Sequence, residues 1–521
     1  MVFLKKYWIS LAVVALVLLK FFFILWQFRM GGFLVAPGGD QYNHIYYIEN
    51  LDKIYPNFGY PPLFHYLLRF ATNQFWGGDY LASILALAPY FLILPVIMVY
   101  FLGKNLFSKK VGLWALILVV FCSGYPLLNF ADGSYPDLLN YGIVVPLVLI
   151  FLFRSLQHGR WLDFLLTGFF ISVSFLTHHF SSITLLASIG PFLLFLILYH
   201  NIDAPKLKKN LYKLLFALFI FAIFWFFVLK FTFGPSFYKA ITNLVTQGES
   251  PVISSVASTP YEYQDIYVIV RPIILFFGVA GLAVLFTEFG QKKKREIIFL
   301  MIWIAVVWVL SRADWSGLPP RFLRHIDLPL IIASGFFIVY ILENCPTSMN
   351  KILATGLFGY MIVINTVQLV VPPFKLNDGF YPWVWYRQID EDKYQYMVGN
   401  IDRGTAILTT NSNPYLYYKL SKIFKLPKIN TGDVPACLTD QSKTNDQEKC
   451  KTESKALLDG IVKSSLADYV FVGEKPYDID ELTFAEFNGY TQTTALLKLF
   501  EDGKIPEKKF IDGSKIYKVS R

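Results

Sequence analysis

Long apolar segments separated by short polar ones make up the first 371 residues of the chain. A helix needs about 20 mostly apolar residues to cross the hydrocarbon core of a bilayer. Segments that reach or approach this length lie at 8–28, 80–102, 111–129, 139–153, 162–178, 180–199, 211–231, 267–287, 296–311, 324–342 and 352–371. The pattern predicts an α-helical polytopic membrane protein with about 11 transmembrane helices.

After residue 371 the pattern changes to short mixed elements. Residues 406–410 and 469–473 are apolar runs of strand type, and the stretch between them contains segments with helical spacing. Residues 510–519 predict two short strands around Asp512-Gly513, which is a hairpin turn signal. We therefore expect two domains, a transmembrane domain over 1–371 and a small α/β domain over 372–521.

Composition and charge agree with a membrane location. Hydrophobic residues make up 55% of the 521 residues and charged residues only 16%, against about 25% in a soluble protein. Residues 372–521 contain 21 basic and 21 acidic residues, so the whole net charge of +10 lies in the membrane part. Basic residues in short loops are typical of the cytoplasmic side, and this distribution argues against a nucleic-acid partner.

The same basic residues predict the orientation of the chain. Lys109, Lys110 and the run 292–295 belong to one set of alternating loops, which we place in the cytoplasm together with the N-terminus. The α/β domain is then extracytoplasmic, and the expected location is the cell (plasma) membrane. The predicted outer loops are 29–79, 131–140, 232–266 and 312–327.

The first outer loop carries a dense group of polar and aromatic side chains. Asp40 is ionised at neutral pH, so it can accept a proton from a hydroxyl group or bind a divalent cation. It is equally suited to cap an amphipathic helix over 41–52. The loop is either a solvated connector or a reaction site, and its further candidates for substrate binding are His44, Glu49, Tyr60 and His65.

The second outer loop adds two carboxylates, Asp132 and Asp137, around a Gly-Ser-Tyr-Pro sequence. Asp-Gly and Tyr-Pro are common in turns, so these residues either form a turn or extend the reaction site. Asp40 and Asp132 are the possible ligands of a metal ion, with Mg or Mn as the candidates.

Cations and imidazoles gather at the ends of later spans. Arg321, Arg324 and His325 lie in the fourth outer loop, where the planar guanidinium groups can bind phosphate oxygens or reach up to lipid headgroups. His178 and His179 lie at the outer end of the fifth span. They are candidates for substrate or metal binding, and the alternative is an ordinary interfacial pair of histidines.

One lysine and two cysteines lead to further expectations. Lys20 lies within the first span, where it either extends to the interface or pairs with a carboxylate of the second outer loop. Cys437 and Cys450 lie in the polar tail, and a disulfide between them is expected if the tail faces an oxidising compartment. No cysteine spacing such as C-x-x-C suggests a zinc site.

Together these features resemble the GT-C membrane glycosyltransferases. The resemblance rests on Asp40 in a long first outer loop, the YPPLFHYL re-entry, acidic residues at 131–137, RFLRH before a late span and an outer C-terminal domain. Oligosaccharyltransferase catalytic subunits, protein O-mannosyltransferases and aminoarabinose transferases share this plan. The first outer loop lacks the paired DD or DE of mannosyltransferases, and the tail lacks the WWDYG-type motif of oligosaccharyltransferases.

The resemblance implies an inverting glycosyltransferase that uses a polyprenyl- or dolichyl-phosphate-linked sugar and a glycan, lipid or protein acceptor. Asp40 would deprotonate the acceptor, Arg321 and Arg324 would hold the departing phosphate, and Asp132 and Asp137 would position the sugar or a metal ion. The alternatives are a lipid or glycan transporter and an O-antigen polymerase or ligase. In the polymerase or ligase Asp40 would be dispensable.

Overall fold

The computed structural model is mostly helical. The residues it describes are 2–31, 41–51, 61–123, 125, 134–198, 208–227, 230, 270–287, 294–312, 322–370, 388–409, 414–427, 447–472, 496–497, 499–501, 504–511 and 514–519. They form two compact units. One contains the described residues of 1–31 and 43–375, and the other contains Gln41, Tyr42 and the described residues after 376.

The described part of the first unit is entirely helical. Its helices are α1 (Val2–Gly31), α2 (Gln41–Glu49), α3 (Leu63–Phe75), α4 (Tyr80–Leu106), α5 (Lys109–Phe121), α6 (Tyr135–Leu139), α7 (Val145–His158), α8 (Trp161–Thr177), α9 (His179–Leu198), α10 (Lys208–Phe227), α11 (Pro272–Thr287), α12 (Lys294–Arg312), α13 (Asp327–Asn344) and α14 (Ser348–Val370). A π-helical turn, Asn140–Val144, joins α6 to α7, and a 3₁₀ turn, Arg324–Ile326, precedes α13.

Each of the eleven predicted spans falls on one of these helices. By length and composition, six described segments can cross a membrane, namely Tyr7–Trp26, Tyr80–Leu106, Tyr135–His158, His179–Leu198, Lys208–Phe227 and Arg324–Asn344. The helical membrane fold is therefore confirmed, while the number of spans remains a prediction. The predicted amphipathic helix after Asp40 is present as α2, although Asp40 itself lies outside the described residues.

The third predicted span is too long, because α5 ends at Phe121 and not near residue 129. Lys20 accounts for the early end, and neither of its two predicted roles matches the contacts in the described residues. Its ammonium group donates to the carbonyl oxygens of Val119 and Val120, at 3.2 and 3.3 Å. Those carbonyls would otherwise accept the backbone N–H groups of a further helical turn, so the lysine caps the helix.

Small residues bring three helices of the first unit into close contact. A Cβ atom at Gly281 of α11 would overlap the carbonyl oxygen of Ala333 in α13, and one at Gly335 of α13 would lie 2.9 Å from the carbonyl oxygen of Val111 in α5. Between membrane helices, such small residues permit the backbone contact that side chains would prevent. α13 is consequently held between α11 and α5.

The second unit contains an α/β arrangement with a four-stranded sheet. Its described elements are α15 (Gln388–Asn400), β1 (Ile407–Thr409), α16 (Pro414–Ser421), α17 (Gln447–Ser464), β2 (Tyr469–Val472), β3 (Lys508–Lys509) and β4 (Lys515–Lys518). The strand order is β1-β2-β4-β3, with β1 parallel to β2 and the other pairs antiparallel. Apolar residues of the strands and of α17, such as Leu408, Leu458 and Val470, form its core.

The predicted elements of the tail are present at the expected positions. Both apolar runs form strands, and Ile516 of β4 pairs with Lys508 of β3 in the expected hairpin, whose turn residues Asp512 and Gly513 lie outside the described residues. Cys450 is disulfide-bonded, whereas Cys122 and Cys345 have free thiols. Cys437, its predicted partner, lies outside the described residues.

The close approach of α11 and α13 predicts a large effect from one methyl group. Gly281→Ala should destabilise the protein by about 1–3 kcal/mol, since the helices must separate to accommodate the Cβ atom. Gly356→Ala is the matched control, because a Cβ atom there meets nothing within 4 Å and alanine favours a helix. Melting temperatures in detergent measure both effects, and an equal response of the two variants would contradict the packing.

The predicted orientation can be tested at two exposed positions. Gln74 lies in the predicted outer loop and Lys109 in a predicted inner loop, and both side chains are exposed. With Cys345 replaced by Ser, a membrane-impermeant maleimide should label Gln74→Cys in intact cells and Lys109→Cys only after permeabilisation. Labelling of both positions from the same side would overturn the topology.

Candidate active site

The predicted site residues divide into those the structure describes and those it does not. Asp40, Tyr60, Asp132 and Arg321 lie outside the described residues. The other eight lie in the first unit, and they are His44, Glu49, His65, Asp137, His178, His179, Arg324 and His325.

Asp137 in α6 is the centre of a buried polar cluster. Ser181 Oγ donates a hydrogen bond of 2.7 Å to its Oδ1, and His178 Nδ1 lies 2.9 Å from the same oxygen. His325 Nε2 lies 3.0 Å from Oδ1 and 3.2 Å from Oδ2. All four side chains are buried. We call this group of Asp137, His178, Ser181 and His325 the carboxylate centre, and it satisfies a buried charge with hydrogen bonds from three sides.

His178 contacts Asp137 because the helical path is interrupted at this residue. Its φ of −159° and ψ of 135° are extended, and they separate α8 from α9. The backbone N–H of His178 still bonds to the carbonyl of Ser174 at 3.1 Å. The His178 carbonyl accepts from Ser182 twice, from its backbone N–H at 3.4 Å and from its hydroxyl at 2.6 Å. Local hydrogen bonds thus stabilise a break that directs the imidazole towards Asp137.

Asn140 connects this break to the π-helical turn. Its amide nitrogen lies 3.0 Å from the carbonyl oxygen of Ser174 and 3.1 Å from that of His178. The same nitrogen lies 3.1 Å from Ser181 Oγ and 3.3 Å from Ser182 Oγ. A π-helical turn contains one more residue than an α-helical turn, and such turns often occur at functional sites. Here the turn places Asn140 and Asp137 against the same break.

His325 is held on both sides of its ring. Its Nδ1 lies 2.8 Å from Thr184 Oγ1, on the side opposite Asp137. Tyr141 stacks on the ring with a centroid distance of 4.2 Å, and the Tyr141 hydroxyl donates to the His325 carbonyl. His325 is fully buried. The 3₁₀ turn that carries it is therefore joined to α9 through Thr184 and to the π-helical turn through Tyr141.

The single hydroxyl proton of Thr184 fixes the direction of its hydrogen bond with His325. Thr184 Oγ1 also lies 3.0 Å from the carbonyl oxygen of Phe180, to which only the hydroxyl proton can donate. Thr184 can then accept, but not donate, at His325 Nδ1. Nδ1 of His325 therefore donates to Thr184, and Nε2 shares a proton with the carboxyl group of Asp137.

A second pair of imidazoles lies at the start of α3. His44 Nδ1 and His65 Nε2 are 3.0 Å apart, and both side chains are buried. Burial lowers the pKa of His65 to about 3, and a hydrogen bond to the backbone of Pro61 opposes this only in part. Nε2 of His65 faces His44, so Nδ1 is the nitrogen that donates to the backbone carbonyl of Pro61. His65 is then neutral, and its Nε2 accepts a hydrogen bond from His44 Nδ1.

The three remaining predicted residues lie outside the carboxylate centre. Glu49 is exposed at the end of α2. His179 is the half-buried first residue of α9, with its ring centroid 6.4 Å from that of Phe175. Arg324 is half-buried and immediately precedes His325 in the 3₁₀ turn.

Four residues of this region were not predicted as site residues. They are Asn140, Tyr141, Ser181 and Thr184. A signal was present in α9, where Ser181, Thr184 and Ser188 recur at helical spacing within an apolar segment. Such a polar stripe indicates that this side of the helix makes buried hydrogen bonds, but it does not identify the partner residues.

The described residues do not fit a metal site at Asp137. Among them, no group of three or more His, Cys, Asp and Glu side chains could hold a metal ion. Asp137 Oδ1 is already surrounded by Ser181, His178 and His325. The predicted ligands Asp40 and Asp132 lie outside the described residues.

Comparisons with known proteins agree with this architecture. Residues 60–227 match the family model described as dolichyl-phosphate-mannose-protein mannosyltransferase, a range that includes Asp137 and His178 but not His325. No curated protein sequence matches the chain.

Solved membrane glycosyltransferases have a similar fold. The Archaeoglobus fulgidus oligosaccharyltransferase in its apo form has a TM-score of 0.60 and 14% identity, over 90% of this chain and 70% of that one. ArnT from Cupriavidus metallidurans in its apo state has a TM-score of 0.52 and 13% identity, over 98% of both chains. The mycobacterial arabinofuranosyltransferase AftD has a TM-score of 0.50 and 11% identity, over 98% of this chain and 41% of its own.

The chain therefore has the fold of the GT-C membrane glycosyltransferases. The resemblance inferred from the sequence is confirmed at the level of fold. Within that class, the match to the mannosyltransferase family covers the segment from the re-entry at α3 to the end of α10.

The buried His65 predicts a loss of stability in acid. Because its pKa is about 3 in the folded protein and about 6.5 in an unfolded chain, only the unfolded chain binds this proton between those values. Stability should rise with pH across that window and fall on acidification, by up to about 1.4 kcal/mol per pH unit.

Melting temperatures between about pH 7.5 and about pH 5 test this dependence. His65→Gln should reduce the acid-induced decrease. His158→Gln, at an exposed histidine, is the control and should retain it. Parallel pH profiles for wild type and His65→Gln would show that His65 does not have the lowered pKa.

Proposed function

We propose that this protein is an inverting glycosyltransferase of the plasma membrane, which transfers a sugar from a polyprenyl- or dolichyl-phosphate carrier to an acceptor on the extracytoplasmic face. The observation that carries the proposal is a GT-C fold with a buried carboxylate centre, of which Asp137, His178 and Ser181 lie within the segment that matches the mannosyltransferase family. A similar archaeal oligosaccharyltransferase, AglB, has been solved with an inhibitory peptide and a dolichol-phosphate.

The proposed reaction is a single displacement at the anomeric carbon. The acceptor oxygen attacks this carbon, the bond from the sugar to the carrier phosphate breaks, and the proton of the acceptor passes to the Asp40 carboxylate. Arg321 and Arg324 stabilise the negative charge that develops on the leaving phosphate. Fixed donors of this kind act best where water is excluded.

Asp137 has a positioning role in this proposal. Its carboxylate oxygens accept from His178, Ser181 and His325, so the residue connects α6 to the break before α9 and to the turn that carries Arg324. It thereby fixes segments that belong to two different predicted outer loops. Of the two acidic residues in the second outer loop, Asp132 is then the one that positions the sugar.

In this proposal, Asp40 and Asp132 are the residues that would bind a divalent cation. An archaeal oligosaccharyltransferase of similar fold has been solved in complex with zinc and sulfate. Mg²⁺ or Mn²⁺ is the corresponding candidate here, and carboxylate oxygens suit either ion. No step of the proposed displacement is assigned to the ion.

The purified protein should consume polyprenyl-phosphate sugars. With a labelled donor and mixed glycan, lipid and peptide acceptors, label should leave the lipid phase. Asp40→Asn should reduce turnover by about 10²–10⁴-fold with little change in donor binding, because the residue accepts the acceptor's proton. Glu343→Gln is the control, since this exposed carboxylate pairs with Lys110 at 2.6 Å, away from the carboxylate centre.

Two results would contradict the proposal. Full activity of Asp40→Asn would show that Asp40 is not the base. Movement of intact labelled lipid between the leaflets, without cleavage of the sugar–phosphate bond, would indicate a transporter.

A further inference from the structure

We propose that His325 is a positioning residue that fixes the turn carrying Arg324, so that the arginine is held ready for a phosphate group. The identity of the ligand rests on the proposed function, in which Arg324 holds the carrier phosphate. The attachment of the turn rests on the contacts of His325 alone, so the two can be tested separately.

The attachment involves the ring and the backbone of His325. The ring bonds to Asp137 and Thr184 through its two nitrogens, at 3.0 and 2.8 Å. The backbone carbonyl accepts from Tyr141, which also stacks on the ring. His325 therefore cannot rotate or shift without breaking a hydrogen bond in the buried interior, and such a loss costs more than it would in water.

The turn is a short irregular part of a longer helical segment. Arg324–Ile326 is a single 3₁₀ turn that connects the helical residues Phe322 and Leu323 directly to helix α13. Short 3₁₀ turns have poor hydrogen-bond geometry, so the contacts of His325 add to the stability of this turn. Phe322, Leu323 and Ile326 are buried, whereas Arg324 is the half-buried residue of this stretch. Arg324 is thus the cationic side chain of this stretch that is not fully buried.

The chemistry of Arg324 indicates an anionic ligand with paired oxygens. A guanidinium group presents parallel N–H donors that match a phosphate oxygen pair, and a misplaced fork loses both hydrogen bonds together. Small displacements at such a group reduce its contribution strongly. The hydrogen bond of His325 to Asp137 thus controls phosphate binding through geometry, since His325 itself does not touch the ligand.

Phosphate binding is the first test. The probes are a short-chain polyprenyl phosphate and inorganic phosphate, titrated against purified full-length protein. Arg324→Ala and His325→Gln should each weaken binding of the lipid phosphate by about 10-fold, and the double variant should be no weaker than Arg324→Ala. Thr177→Val is the control, since Thr177 bonds only within α8, to the carbonyl of Val173. Weakening for the lipid but not for inorganic phosphate would identify the carrier as the ligand source.

A comparison with His178 separates positioning from general stability. His178→Gln removes the other imidazole from Asp137 but lies far along the chain from Arg324. It should lower the melting temperature about as much as His325→Gln and weaken phosphate binding less. Equal weakening by the two variants, or additive effects of Arg324→Ala and His325→Gln, would overturn the proposal.

The second test does not depend on any ligand. Arg324→Cys, with Cys345 replaced by Ser, should react slowly with a maleimide, and addition of His325→Gln should raise the rate by about 10-fold. Thr184→Val removes one hydrogen bond to the ring and should raise the maleimide reaction rate less than His325→Gln does. It is the variant to measure if His325→Gln does not fold. Unchanged rates would refute the attachment. If the rates change as expected but wild type neither binds polyprenyl phosphate nor consumes a donor, the attachment stands and the proposed function fails.

Discussion

A carboxylate in an apolar interior must be paired, and this constraint on Asp137 determines the arrangement around it. An isolated ionised group at this depth would cost far more free energy than the fold can supply. The protein satisfies it with His178 and Ser181 from the break before α9 and with His325 from a distant part of the chain. Because each partner must reach one carboxylate, the elements that carry them are fixed relative to each other.

The irregular segments of the helices are where these partners are found. α8 breaks at His178, a π-helical turn carries Asn140 and Tyr141, and a 3₁₀ turn carries His325. In regular helices, the backbone polar groups at these points would bond within the helix and would not be available to other segments. The close contacts of α11 and α5 with α13, through Gly281 and Gly335, position the helix that follows the 3₁₀ turn. Packing and polar pairing thus support the same geometry.

The sequence predicts the fold better than it predicts the site. Apolar length alone located the membrane helices, since hydrophobicity is a local property of the chain. Asp137, His178 and His325 were each candidates, but their convergence was not predictable, because Asp137 and His325 are 188 residues apart. Thr184 was missed for the same reason, and the end of α5 was misplaced because Lys20 of another helix caps it. Contacts between distant segments leave no periodic pattern in a single sequence.

Asp137 and His325 form a coupled hydrogen-bonded pair in the interior. A double-mutant cycle with Asp137→Asn and His325→Gln, read as the free energy of unfolding in detergent, measures this coupling directly. We predict a coupling energy of about 1–3 kcal/mol, because each single variant leaves the other partner buried without its native hydrogen bond. Additivity within about 0.5 kcal/mol would contradict the account, since it would mean that the two residues do not depend on each other.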